Sequence, residues 1–333
     1  MIKTAIVILN WNTRNYLEKF LPFLVKYSAS PDVEIVLADN ASTDDSVEFV
    51  QNHYPEIKII VNDKNYGFAG GYNKALKLVE AEYYVILNSD IEVTENWLAP
   101  LVNLLDEHSE IAACMPKLRS YFNRDYFEYA GAAGGFLDRL GYPFCKGRLF
   151  TTLEKDEGQY DGTYQVQWAT GACLVIKARL FHEFEGFDSY FFAHQEEVDL
   201  CWRLLNGGYK VYCTTDSLIY HMGGGTLPKS SPQKTYLNFR NNLVLLYKNT
   251  SRLTFLSIIF IRLVLDGVAA FKVLSERKPK EFRAIFLAHL SFYKYMITRK
   301  KNVRKKTYSK ELIYKKSIVI QYFMLGKKKF SQL

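Results

Sequence analysis

Between residues 5 and 115 the chain alternates short, wholly apolar runs with amphipathic stretches, and the runs stop on polar residues. Runs at 5–9 (AIVIL), 34–38 (EIVLA), 57–61, 83–87 (YYVIL) and 111–115 read as buried strands. Stretches at 16–27, 70–79 and 95–107 read as helices, and another runs to Val50 from a cap at Ser42 or Thr43. Strands alternating with helices leave little choice but a mainly parallel, doubly wound α/β sheet. Such sheets bind ligands beyond the carboxyl ends of their strands. Attention therefore falls on Asn10, Asp39, Asn65 and Asp90, which stand at or just after strand ends.

Residues 119–165 lose this rhythm. Tyr, Phe and Gly dominate (YFEYAGAAGGF, GYPF), a composition suited to loops over a site. Order returns at 165–176, in a helix over 196–206, in two short strands at 210–213 and 217–220, and in a helix near 235–248. The expected organisation is a body over residues 1–250, in halves 1–118 and 119–250, followed by a helical, basic extension over 251–333.

Charge separates the two parts. The net charge is +8, yet residues 276–333 hold 17 Lys and Arg against 3 Asp and Glu, leaving 26 against 32 for the rest. An acidic body that receives phosphates needs a cation. Residues 253–274 are apolar but include Arg262, Asp266 and Lys272, and their longest uncharged run, 253–261, is far short of the ~20 residues of a spanning helix. Cationic, aromatic, amphipathic helices suit an anionic membrane surface. No nucleic-acid-binding motif accompanies the charge, so a nucleic-acid partner is not expected. Five cysteines without a CxxC pair indicate neither a disulfide framework nor a zinc cluster. The run at 5–9, followed closely by Asn10 and Asn12, is unlike a secretory leader. The expected location is the cytoplasm, peripheral on the inner face of the cell membrane.

Five segments carry groups with chemistry. Asp39, in ADNASTDDS, is placed to accept the N3–H of uracil or thymine, although the same residues also build Asx turns and helix caps. Asn65, Gly67, Gly70 and Asn73 lead into a helix, where glycines admit close backbone approach and the helix start attracts phosphate. This is neither GxGxxG after the first strand nor a P-loop, which weighs against dinucleotide and ATP binding. Ser89 and Asp90 end a strand, and a strand-end carboxylate suits Mg²⁺ or Mn²⁺ bridging two phosphates. Glu196 and Glu197 open a helix, as a base facing a hydroxyl would. First-turn acids also satisfy a helix dipole, and Asp199 and Arg203 suit an i,i+4 pair. HxEE has no second histidine at i+4, which excludes a zincin. His221, before Met222 and Gly223, either completes a metal site or is a hydrogen-bonded strand-end histidine.

Taken in order, AIVILNWN, ADNASTDDS, NYGFAGGYN, LNSD, WATGA, EEVDLCWR and YHMGGG resemble the bacterial inverting family 2 glycosyltransferases, especially their rhamnosyltransferase-like branch, over about residues 3–250. The resemblance implies a GT-A fold with a Rossmann-like nucleotide-binding half. It implies a UDP- or dTDP-sugar donor, a glycan or lipid-linked acceptor, a role in cell-surface polysaccharide biosynthesis, and Mg²⁺ or Mn²⁺ as cofactor. By the same resemblance Asn10, Asn12, Asp39, Asn65, Gly67, Gly70, Asn73 and Ser89 meet the donor nucleotide. Asp90 and His221 hold the metal, with Asn88 where the family often has a first carboxylate. Glu197, beside Glu196, takes the position of the base. Trp168, Gly171 and Ala172 line the donor and acceptor pocket. A glutamate near its ordinary pKa of ~4.3 is ionised at neutral pH, as a base must be. Two alternatives stand beside this reading. A sugar nucleotidyltransferase calls for glycines and basic residues after the first strand, where this chain has Asn10, Trp11, Asn12, Thr13 and Arg14. A non-catalytic membrane-surface scaffold has no need of Asp39, Asp90, Glu197 and His221.

Overall fold

The computed structural model describes residues 2–223, 231–299 and 312–333. In chain order it contains β1 (Ile2–Asn10), α1 (Arg14–Ser28), β2 (Val33–Asp39), α2 (Ser46–His53), β3 (Lys58–Val61), α3 (Gly67–Ala75), β4 (Ala81–Asn88), β5 (Ile91–Val93), α4 (Ala99–Glu107) and β6 (Ile111–Ser120). Four short strands follow: β7 (Gly135–Leu137), β8 (Pro143–Cys145), β9 (Arg148–Leu149) and β10 (Thr152–Leu153). The body closes with β11 (Thr163–Val166), β12 (Cys173–Lys177), α5 (Ala178–Glu183), α6 (Glu196–Asn206), β13 (Lys210–His221) and α7 (Pro232–Asn249). Then come α8 (Arg252–Ser275) and α9 (Pro279–Thr298).

The main sheet runs β11-β13-β6-β12-β4-β1-β2-β3, with β5 paired to β13. Strands β3, β2, β1 and β4 are mutually parallel, as the alternation predicts. β1 lies among them, and its Ala5, Ile6 and Val7 are fully buried, which is why that run carries no polar alternation. Beyond β4 the sheet is mixed, because β12 enters antiparallel between β4 and β6. The antiparallel entry brings the start of β12 to the same edge as the end of β4, and Asn88 N–H donates to Ala172 O at 3.0 Å.

Three local expectations change. Neither Ser42 nor Thr43 caps α2. Asp45 stands at its N-cap without a side-chain bond, and Ser42 Oγ instead accepts from Asn10 and Asn12. The two strands expected over 210–220 are one strand, β13, with its register shifted between Thr214 and Leu218. Residues 119–165 are more than loops, since β7 to β10 pair into a separate four-stranded sheet.

The extension packs onto the body. Phe255, Phe292 and Tyr295 belong to the main core, and Ile318 and Tyr322 join Phe144 and Leu149 of the small sheet in a second core. The helix α8 is long and apolar enough to cross a membrane by length and composition, which the count of uncharged residues missed. Its orientation is inverted relative to a soluble amphipathic helix. Arg262 and Asp266 are buried against the body, while Leu253, Leu256, Phe260, Val264, Val268 and Phe271 face outward. All five cysteines are buried and free.

Candidate active site

Register gathers the polar strand ends. Asn10 pairs with Asp39 across β1 and β2, and Leu9 pairs with Asn88 across β1 and β4. The buried Asn10 amide donates to Asp39 Oδ1 at 2.7 Å, to Ser42 Oγ at 3.0 Å and to Ser46 Oγ at 2.7 Å. Asp39 Oδ2 accepts from Ser42 N–H at 2.9 Å. Each carboxylate oxygen has a second lone pair, so Asp39 keeps capacity for a ligand N–H. Asn12 sits at φ 55° and its Oδ1 accepts from Thr43 N–H at 2.7 Å, bracing the same turn.

Asn40, next to Asp39 in ADNASTDDS, links this turn to the next. Its Nδ2 donates to Asn65 Oδ1 at 2.9 Å, and Asn65 Oδ1 also accepts from Gly67 N–H at 2.8 Å. Gly67 opens α3 at φ +70°, and a Cβ there would lie 2.5 Å from the Phe192 ring, so only glycine fits. Gly70 sits one turn on, where a Cβ would lie 2.9 Å from Tyr66 Cβ. The Asn73 side chain is occupied by Phe187, donating to its carbonyl at 2.6 Å and accepting from its N–H at 2.9 Å. It acts as a strap between α3 and the segment before α6.

Asp90 and His221 meet because β5 runs antiparallel to β13, which pairs Ile91 with His221. His221 Nε2 lies 3.1 Å from Asp90 Oδ1, both side chains being buried, and Ser89 beside them is half-buried. The other ring nitrogen, Nδ1, lies 3.1 Å from Glu128 Oε2. Burial opposes the charged forms of all three, but their mutual attraction outweighs it. His221 is held well above its ordinary range, and Asp90 and Glu128 below theirs. Among the described residues no group of three or more His, Cys, Asp or Glu is placed to hold a metal unaided. The pair Asp90 Oδ1 and His221 Nε2 does fit part of an oxygen-rich coordination shell, with the remaining positions left to phosphate and water oxygens. Gly224 and Gly225 of the glycine run lie outside the described residues.

The base candidates open α6. Glu196 is buried at 3% exposure and Glu197 is half-buried, and Oε2 of each is buried without a hydrogen-bond partner. Burial raises both. Glu197, which backbone N–H groups including that of Gly171 partly relieve, reaches about 7, and Glu196 goes well above its ordinary value through burial and Glu197. The expectation of an ordinary, fully ionised glutamate is thereby corrected: desolvation moves the proton equilibrium to neutral pH. A Cβ on Gly171 would stand 3.7 Å from Glu197 Cδ, so Gly171 borders the carboxylate. Trp168 lies further in, its ring against Gly135 and its Nε1–H donating to Phe136 O at 3.0 Å.

The loop before α6 is strained. Phe192, His194 and Gln195 have φ of 63°, 70° and 69°, conformations costing of order 1–3 kcal/mol each. Helix α7 holds them. Asn241 Nδ2 contacts the carbonyls of Phe191, Ala193 and His194 at 3.0, 2.9 and 2.7 Å, and Arg240 Nη2 donates to Tyr190 O and Phe191 O. Asp199 locks α6 to α7 by accepting from Arg203 Nε, Lys248 Nζ and Asn249 Nδ2, each at 2.8 Å. Despite its burial, the cations hold it down at about 2. The sequence signal for this clamp was the polar run Arg240, Asn241, Asn242 on a helix otherwise rich in Leu.

The model of the glycosyl transferase family 2 matches residues 5–181, more than half of the chain. This chain is a family 2 glycosyltransferase. The transferase is 25% identical over 240 residues to the N-acetylglucosaminyl-diphospho-decaprenol L-rhamnosyltransferase of Mycobacterium tuberculosis, covering 66% of this chain and 76% of that one. Its fold is similar to that of the mannosyltransferase PcManGT from Pyrobaculum calidifontis, in complex with GDP-Man and Mn²⁺. That match has a TM-score of 0.53 and 15% identity, and covers 89% of this chain and 79% of the other. It is also similar to GalNAc-T7 with UDP, GalNAc and Mn²⁺, with a TM-score of 0.55 and 18% identity, over 66% of this chain and 43% of that one. The mixed, mostly parallel sheet of the transferase is thus a GT-A fold. Family membership replaces both alternatives drawn from sequence, the nucleotidyltransferase and the non-catalytic scaffold.

Proposed function

We propose that the enzyme transfers a rhamnosyl or other hexosyl unit from a UDP- or dTDP-sugar to a hydroxyl of a lipid-linked glycan, inverting the anomeric centre, in cell-surface polysaccharide synthesis. The observation that carries this is the half-buried Glu197 beside Gly171, in the segment whose Ala172 O accepts from Asn88 N–H at the end of β4, two residues before the Asp90 that pairs with His221. Asp39 takes the base N–H, and the α3 start at Gly67 and Gly70 receives phosphate. Glu197 removes the proton of the acceptor hydroxyl, whose oxygen attacks the anomeric carbon in line. Glu196, more deeply buried, keeps its proton and so spares Glu197 a second adjacent charge. Asp90 and His221 are the residues that would hold a divalent cation, which would supply Lewis-acid stabilisation of the leaving diphosphate. An imidazole among the donors suits Mn²⁺ better than Mg²⁺. The lipid-linked acceptor is supported by the Mycobacterium tuberculosis relative, whose name states a diphospho-decaprenol substrate. An acceptor of that kind fits an enzyme resting on the inner membrane face through residues 251–333, where the outward α8 lies.

The test is a screen of UDP- and dTDP-hexoses against a polyprenyl-diphosphate glycan with Mn²⁺ or Mg²⁺, scored by release of UDP or dTDP. Acceptor-dependent release that stops with EDTA is expected. Failure of every UDP and dTDP donor, with turnover of a GDP-sugar instead, overturns the donor assignment.

A further inference from the structure

Glu128 belongs to no motif, lies in the segment without periodicity, and is nonetheless buried at 5% exposure against the one histidine facing Asp90. A buried carboxylate is costly unless something fixes it, and here everything around it does. Its N–H donates to Leu118 O at 3.0 Å, tying it to the end of β6. Its Oε2 accepts from Ala130 N–H. Gly223, at φ +70°, leaves room above it, since a Cβ there would lie 3.0 Å from Glu128 Oε1. The carboxylate is thus held before His221 is considered, and the ring is clamped between two fixed acids.

We propose that Glu128 is the positioning residue of the metal centre: its Oε2, 3.1 Å from His221 Nδ1, pairs with that side of the ring and so holds Nε2 toward a cation shared with Asp90. The inference rests on the metal reading given above. The geometry separates two roles. Asp90 is on the Nε2 side, where a ligand belongs, and Glu128 is on the opposite nitrogen, where it cannot share the ion. A carboxylate on the far nitrogen fixes the tautomer and the ring plane and raises imidazole basicity, and removing such a partner costs 10–100-fold in metal affinity. That matters more here than in a site with many protein ligands, because among the described residues no group of three or more His, Cys, Asp or Glu is placed to hold an ion.

Mn²⁺ alone is titrated into the full chain and free Mn²⁺ is followed by electron paramagnetic resonance. Glu128→Ala is expected to raise the Mn²⁺ dissociation constant by about 10–100-fold. Glu128→Gln, which keeps an acceptor but no charge, is expected to fall between it and the parent. Should the alanine variant not fold, the near-isosteric glutamine variant decides, with at least about a threefold rise expected. An ion pair serving only to hold the loop predicts lower thermal stability with unchanged Mn²⁺ affinity, and that result overturns the proposal. His221→Ala is run in parallel. If it too leaves Mn²⁺ affinity unchanged, the metal centre itself is overturned and Glu128's role with it. If it alone abolishes binding, only Glu128 is refuted.

Discussion

Adjacent residues on a helix point about 100° apart, and Glu196 is buried while Glu197 is half-buried, which favours Glu197 as the proposed base. Glu197→Gln is expected to lower kcat by about 10²–10⁴ with donor affinity within a few-fold of the parent by calorimetry. Undiminished turnover would remove Glu197 from the mechanism. Because the base must be deprotonated and burial raises it to about 7, kcat/KM is expected to climb roughly tenfold per pH unit up to about 7 and then level. A profile already flat from pH 5 would mean an ordinary glutamate. The sign for stability is opposite. The raised carboxyls favour the fold at low pH, and this contribution is lost as pH rises through about 7. Glu197→Gln should therefore lose less thermal stability than the parent between pH 6 and 8. Asp39, Asp90, Glu197 and His221 were legible because each follows or opens an element whose period is plain. Glu128 was not, since its meaning depends on the distant His221. Nor was the displaced Glu197 equilibrium, because desolvation belongs to the fold.

Among the elements, the parallel strands were legible because a run such as 5–9 has only one way to bury both faces. Strand direction was not: the apolar run of β12 reads the same in either sense, and its antiparallel place between β4 and β6 is set by the fold. The polar residues at 214–216 looked like a break between strands but form an irregularity within β13. The clamp by α7 shows in the sequence only as the polar run Arg240, Asn241, Asn242, because its partners are backbone carbonyls of a strained loop. Asn241→Ala leaves the carbonyls of Phe191, Ala193 and His194 short of a donor. A stability loss of about 1–3 kcal/mol is expected by denaturant unfolding. Initial rates should show kcat reduced by about 10²-fold, as a displaced reacting group predicts, with little change in donor affinity. Loss of stability with full kcat would make the clamp structural only.

At the scale of the whole molecule, α8 departs from the usual distribution of charge and apolarity. Its Arg262 and Asp266 point in, while Leu253, Leu256, Phe260, Val264, Val268 and Phe271 point out. Arg262 Nη1 donates to Leu140 O at 3.0 Å, its guanidinium lies 3.8 Å from the Tyr142 ring centroid, and Asp266 lies 3.3 Å from His289 on α9. These contacts hold the helix along the body. Crossing a bilayer would expose Arg262 and Asp266 to hydrocarbon at about 2.5–3.5 kcal/mol each, so we infer that α8 lies in the interface and the lysine-rich residues 276–333 add attraction to anionic headgroups. Deleting 276–333 is the wrong test, because Phe292 and Tyr295 belong to the main core and Ile318 and Tyr322 to the second. Substitution on the outward face avoids this. Phe260 is 73% exposed and Val268 62%, so Phe260→Glu with Val268→Glu should leave the melting temperature within a few degrees. Co-sedimentation with phosphatidylglycerol vesicles should fall at least about tenfold, since each buried apolar side chain contributes roughly 1.5–3 kcal/mol. Raising salt to 0.5 M should weaken the parent's binding less than the double substitution does if apolar contact dominates. Equal sedimentation of parent and variant would show that the face meets something other than lipid.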